Sequence, residues 1–226
     1  MVSAQRPRIG VVRETAPGER RVALVPKVIT QLIGKGLDVI VESGAGEAAL
    51  LPDSAFESAG AVIGNPWDCD VVVKVAEPST DEIAKLSAGT RLIGFLNPRS
   101  QENQIGELKA KGVEAYAMEA IPRISRAQVM DALSSQNNVA GYKAVLVAAD
   151  NLTRFFPMLT TAAGTVKPAT VMVLGVGVSG LQALATARRL GARTIGYDVR
   201  PEVAEQVKSV GCLLYTSPSP RDRTRS

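Results

Sequence analysis

An apolar run, Val171-Met172-Val173-Leu174, passes directly into Gly175-Val176-Gly177-Val178-Ser179-Gly180, and a helical pattern follows at once. No other feature limits the fold as much, because the chain must end a strand, turn and launch a helix within six residues. Gly175 permits the tight turn, Gly177 lets backbone approach a ligand, and Gly180 lets the helix lie close on the strand. Leu181, Leu184, Ala187 and Leu190 fall along one side of that helix, and Gly191 stops it. Asp198 closes the next strand, 18 residues beyond Gly180. This spacing predicts a strand–helix–strand unit whose helix N-terminus faces the pyrophosphate of a dinucleotide. Gly175, Gly177, Val178, Ser179 and Gly180 would form the phosphate turn, and Asp198, Val199 and Arg200 the ribose end. A carboxylate at Asp198 accepts hydrogen bonds from the adenosine ribose and repels a 2′-phosphate, which selects NAD(H) over NADP(H). Arg200 argues the other way unless it is a solvated charge at a helix start. A glycine turn in an ordinary α/β protein is the alternative to the whole constellation.

The rest of the chain repeats the same alternation. Candidate strands are 9–12, 38–41, 71–75, 91–95 and 113–117, with helical segments at 26–35, 80–86 and 101–111 between them. Pro26 suits a first helical position, and Gly36 and Gly112 suit helix stops. Strands alternating with helices predict parallel sheets. Aromatics are only 4% of the 226 residues, so Val, Leu, Ile and Ala must fill the core. Strands buried on both faces use those residues.

A longer helical stretch runs from about Arg126 to Phe156 and ends near Pro157. Gly141 lies inside it and weakens it by about 1 kcal/mol unless close packing needs a glycine there. The expected organisation is an α/β chain with two Rossmann-like parallel-sheet domains joined by this helix, the second domain incomplete. It divides into a first domain over 1–125, the linking helix 126–157, the dinucleotide domain 158–211 and a tail 212–226. Two Ser-Pro pairs and scattered arginines make the tail a poor continuation of a sheet. It reads as a foreign ending or as a genuine disordered terminus, and the chain reads as truncated.

Net charge is +4, and Arg221, Arg223 and Arg225 against Asp222 supply half of it. No basic stripe interleaves with aromatics, so a nucleic-acid partner is not expected. Cys69 and Cys212 are far apart and read as reduced structural thiols. No metal site is expected. No segment approaches the ~18 apolar residues of a spanning helix, and the first strand begins too early to leave room for a signal peptide.

Several segments resemble a known family. Gly18-Glu19-Arg20-Arg21-Val22-Ala23-Leu24-Val25-Pro26 and Lys74-Val75-Ala76-Glu77-Pro78 are similar to the alanine dehydrogenase and transhydrogenase superfamily. Pro122 through Gln136, with Asn138-Val139-Ala140-Gly141-Tyr142 and Gly175 through Arg200, resembles its transhydrogenase branch in particular. The resemblance spans about residues 8–211. It implies a dimerising, two-domain NAD(H)-binding component on the cytoplasmic face of the inner membrane. That component passes hydride directly to NADP(H) on a partner, alongside membrane-spanning components that move protons. It also implies that Arg123, Gln128, Asp131 and Ser134 lie near the nicotinamide and its ribose. On a helix, Gln128, Asp131 and Ser134 would share one side. Their amide, carboxylate and hydroxyl could orient a carboxamide and ribose hydroxyls. A polar solvent face is the bland alternative.

The chain contains no histidine. Alanine dehydrogenases use one after a strand as acid and base, and Asn97 stands where it is expected in Gly94-Phe95-Leu96-Asn97-Pro98. Oxidising an amino acid releases a proton and needs a base. Hydride transfer between two nicotinamides does not, so positioning and exclusion of water suffice. The runner-up reading is an amino-acid dehydrogenase with Arg21 and Lys74 as a carboxylate-binding pair, Lys74 serving as base if desolvated. Both could equally be charges that stabilise the fold. A third reading is a non-catalytic NAD-binding fragment.

Overall fold

A computed structural model describes residues 6–215, and the chain forms two compact units, Met1–Asp131 and Ala132–Ser226. The first unit contains β1 (Arg8–Val11), α1 (Pro26–Gly34), β2 (Asp38–Val41), α2 (Asp53–Ser58) and β3 (Val62–Ile63). It continues through β4 (Val71–Val73), α3 (Thr80–Lys85), β5 (Arg91–Gly94), α4 (Glu102–Ala110) and β6 (Glu114–Ala117). The strands form one sheet in the order β3-β2-β1-β4-β5-β6, every pair parallel. This is the doubly wound order, in which winding reverses between β1 and β4 and leaves a crevice at the carboxyl ends of those strands.

Alternation along each strand sends neighbours to opposite faces. Val11 packs with Ile29, Val39, Val41 and Phe56, whereas Val12 packs with Val72, Leu92, Leu96 and Leu108. Helix α3 is fixed at its start by a capping box. The Ser79 hydroxyl accepts from the Glu82 amide at 3.2 Å, and the Glu82 carboxylate accepts from the Ser79 amide at 2.8 Å.

The second unit contains α5 (Ala132–Asn151), the antiparallel pair β7 (Leu159–Thr161) and β8 (Gly164–Val166), β9 (Thr170–Leu174) and α6 (Val178–Arg189). β10 (Arg193–Tyr197), α7 (Ala204–Ser209) and β11 (Leu213–Tyr215) complete its described portion. β9, β10 and β11 form a parallel sheet in the order β11-β10-β9. Val145, Phe156, Ala183 and Ala187 pack together on one side of α6, and Val176, Leu184, Val203 and Val207 on the other.

Three expectations are corrected. First, no single helix runs from Arg126. Residues Ser125–Met130 form a 3-10 turn, Asp131 at φ −76, ψ 76 breaks the helical path, and α5 begins only at Ala132. Second, α5 is part of the second unit's core rather than a free linker. A Cβ on Gly141 would lie 2.1 Å from the Ser179 carbonyl oxygen, so the glycine is there to let α5 and α6 approach. The helix also stops at Asn151, before Pro157, because the following segment turns in to bury Phe156. Third, the sheet does not end at Gly211. Leu213-Leu214-Tyr215 pairs in parallel register with Ile195-Gly196-Tyr197. The prolines begin only at Pro218, so three apolar residues with all their amides are available for pairing first. The tail from residue 216 onward, with Pro218, Pro220 and the three arginines, lies outside the described residues. The β7–β8 hairpin has no counterpart among the strands that the sequence predicts.

Candidate functional site

The glycine turn joins β9 to α6 as its spacing required. Gly175 sits at φ +87, a conformation that side chains rarely adopt, and donates to the Tyr197 carbonyl at 2.8 Å. A Cβ on Gly180 would fall 1.9 Å from the Gly175 carbonyl oxygen, so only glycine lets α6 start this close to the turn. Gly177 differs from both. Its φ of −78 makes no special demand, and a Cβ there would meet nothing within 4 Å. The chain's own packing therefore does not require glycine at 177, and bare backbone is left facing open space.

Val178, Ser179 and Gly180 form the first turn of α6, whose amides have no acceptor within a helix. Leu181 supplies the first closed bond, donating to the Gly177 carbonyl at 2.8 Å. The preceding amide, Val176, donates to Asp198 Oδ2 at 2.7 Å and ties the glycine turn to the end of β10.

Asp198 is buried, with a side chain 5% exposed, and four donors reach its carboxylate. Oδ1 accepts from the Arg200 amide at 2.9 Å and Arg200 Nε at 3.0 Å. Oδ2 accepts from Val176 and from Arg200 Nη2 at 3.0 Å. The Arg200 guanidinium, with the amides of Val176 and Arg200, holds the Asp198 carboxyl well below the usual carboxylate range. Val199 projects into solvent between them, 82% exposed. Gly175, Gly177, Val178, Ser179, Gly180, Asp198, Val199 and Arg200 are thus gathered at the carboxyl ends of β9 and β10. A bare backbone step at Gly177, free first-turn amides and an acidic group at the next strand end match the donor and acceptor needs of a dinucleotide.

The other four candidate residues do not share a helix face. Arg123 is exposed ahead of the 3-10 turn, Gln128 is exposed within it, and Asp131 is half-buried at its end. These three belong to the first unit, and Ser134, half-buried in the first turn of α5, belongs to the second. The period-three spacing misled because a break at Asp131 separates two helices of different pitch.

The proposed carboxylate-binding pair is engaged elsewhere. Lys74 Nζ lies 2.8 Å from Glu82 Oε2 and 3.8 Å from Glu14 Oε2, with all three side chains at most 5% exposed. It also donates to the Glu77 carbonyl at 3.2 Å. Burial alone would raise the Glu82 carboxyl, but Lys74, the Ser79 amide and the Thr15 hydroxyl outweigh it and hold it low. Glu14 in turn accepts from the amides of Val75 and Ala76. Glu14 follows β1 and Lys74 follows β4, so the first unit's switch-point crevice is filled by the chain's own charges. Arg21 forks onto Glu19, with Nε at 2.8 Å and Nη2 at 2.6 Å. Asn97 stands at φ +45, and its amide, with that of Leu96, donates to Glu119. Sequence reasoning missed both carboxylate networks, since neither Glu14 nor Glu119 is near its amide partners in the chain.

Among the described residues, no helix is long and apolar enough to cross a membrane. Both thiols are buried and free, and burial pushes Cys69 up.

A fold of two Rossmann-like parallel sheets, one carrying a glycine turn tied to an acidic strand end, defines a dinucleotide-binding class. The chain belongs to the alanine dehydrogenase/PNT family: its N-terminal domain matches residues 10–140, and its C-terminal domain residues 144–219. The second match reaches beyond Gly211, in keeping with β11. An NAD(P) transhydrogenase alpha subunit of Rhodospirillum rubrum is 49% identical, over 92% of this chain and 57% of that protein. NAD(P) transhydrogenase subunit alpha of Haemophilus influenzae is 47% identical, over 90% of this chain and 40% of that one. The chain therefore spans about half the length of the curated relatives it matches. The crystal structure of transhydrogenase from Sinorhizobium meliloti superposes with a TM-score of 0.90 at 45% identity, covering 92% of this chain and 64% of that one.

Proposed function

We propose that the chain is the NAD(H)-binding component of a proton-translocating NAD(P) transhydrogenase. One observation carries the reading: the Gly175–Gly180 turn and the buried Asp198, joined through the Val176 amide, in a chain 49% identical to a transhydrogenase alpha subunit. The α6 amides and the bare Gly177 backbone would hold the pyrophosphate, and Asp198 the adenosine ribose. Arg123, Gln128, Asp131 and Ser134 would orient the nicotinamide end. NAD(H) supplies the hydride when bound. The chain's residues then need only bind, orient and exclude water, since exchange between two nicotinamides leaves no proton to be removed by a base.

Partners follow from the same reading. NADP(H) would sit on a second component, with membrane-spanning components carrying the protons and this chain on the cytoplasmic side of the membrane. A second copy of the chain is the expected dimer partner. The exposed Phe155 and Met158, beside the β7–β8 hairpin, offer apolar area of the kind a homodimer covers. The amino-acid dehydrogenase alternative is disfavoured by the engagement of Lys74 with Glu82 and Glu14 and by Asn97 in place of a histidine.

The test is a titration of NADH and NADPH, followed by hydride transfer to an NADP(H) analogue in the presence of the partner components. NADH should bind clearly better, and Gln128→Ala or Arg123→Ala should slow transfer while leaving NADH affinity within about tenfold. Equal affinity for the two cofactors, or alanine-dependent reduction of NAD+, refutes the proposal.

A further inference from the structure

The Asp198 carboxylate has no acceptor capacity to spare. A carboxylate offers about four lone-pair sites, and four donors fill them: the Val176 and Arg200 amides, and Arg200 Nε and Nη2. The two amide donors are backbone and set by the turn. The two guanidinium donors come from a side chain that is 52% exposed, covering a carboxylate that is 5% exposed. They arrive in parallel, one on each oxygen, as the two hydroxyls of a cis-diol would. We propose that the Arg200 guanidinium is an exchangeable stand-in for the adenosine ribose. It satisfies Asp198 when no nucleotide is bound, and it must surrender Nε and Nη2 before the 2′- and 3′-hydroxyls can donate to the same oxygens. Arg200 is then a specificity and affinity residue that acts by competition rather than by attraction.

This inference rests on the reading of Asp198 as the ribose acceptor, and the two can be tested apart. The probe is ADP-ribose, titrated by calorimetry into the full 226-residue chain, into Arg200→Met, which keeps the stem and removes the fork, and into Asp198→Asn. A half-exposed ion pair is worth little, so its removal should tighten ADP-ribose binding by only about threefold to fivefold. The gain should shrink for an analogue lacking the adenosine 2′-hydroxyl. Asp198→Asn should weaken binding. If Asp198→Asn weakens ADP-ribose while Arg200→Met leaves it unchanged or weaker, the exchange is overturned and the ribose reading survives. If Asp198→Asn has no effect, both fall. A second measurement needs no variant. The Arg200 Nε–H resonance of the unmutated chain should be protected from solvent exchange without ligand and lose that protection at saturating ADP-ribose. Protection retained at saturation overturns the proposal.

Discussion

Gly141→Ala is a substitution on which sequence and structure disagree in sign. From the sequence, a glycine inside a 20-residue helix is a weakness, and alanine should gain about 1 kcal/mol. The structure gives the opposite answer. The new Cβ would lie 2.1 Å from the Ser179 carbonyl oxygen, 2.9 Å from its carbonyl carbon and 3.1 Å from its Cα, all backbone atoms that no rotamer change can move. To reach ordinary contact, α5 and α6 must separate by about 1 Å, which opens the cluster of Val145, Ala183 and Ala187 between them. Overpacking of this kind costs typically ~1–3 kcal/mol, and more where backbone must shift. With the helical gain subtracted, Gly141→Ala should destabilise the second unit by about 1–2 kcal/mol. Urea unfolding followed by hydrogen exchange is the assay. The most protected amides of α5 and α6 should exchange about tenfold faster, while those of β1, β4 and β5 stay unchanged. Ser179 belongs to the first turn of α6, so ADP-ribose affinity should fall as well. A variant as stable as the parent, or more stable, would falsify the packing argument and restore the propensity one.

Lys74→Met should cost about 3–5 kcal/mol, because it strands two buried carboxylates, Glu82 and Glu14; a loss under about 1 kcal/mol in urea would mean the triad is dispensable. Glu19 is held at about 2, chiefly by the Arg21 fork, against 4.5 in its absence. A depressed carboxylate stabilises the fold above about 4.5 and loses that contribution as pH falls toward about 2. Glu19→Gln should therefore flatten the acid limb of the unfolding midpoint in that window, by at most about 1 kcal/mol because Arg21 is half exposed; an unchanged limb refutes it. At Asn97, φ +45 predicts that valine costs about 1–2 kcal/mol and glycine nothing, measured by the same unfolding curves; equal stability of the two variants would contradict the strain.

The sequence alone determined what is local. A strand, three glycines and a helix start lie within ten consecutive residues, and the requirement for φ +87 at Gly175 and for close approach at Gly180 can be read there directly. Asp198 was legible because its distance from Gly180 is set by one helix and one strand. Alternating strand and helix patterns gave both parallel sheets for the same reason, each pattern being a property of a few neighbouring residues. Tertiary structure decided what depends on residues far apart in the chain. Gly141 is a weak point in its helix until Ser179 is brought against it. Lys74 is a candidate base until Glu14, 60 residues earlier, and Glu82 are folded around it. Leu213-Leu214-Tyr215 is part of an unpromising tail until β10 presents an edge with the right register. Even Arg200, two residues from Asp198, was ambiguous in sequence, because whether its fork turns to the carboxylate or to solvent depends on where β10 ends and how the Val176 amide fixes Asp198. Periodicity and turn chemistry are written in short stretches of chain, whereas the partners that fill a charge's hydrogen bonds are chosen only when distant strands align.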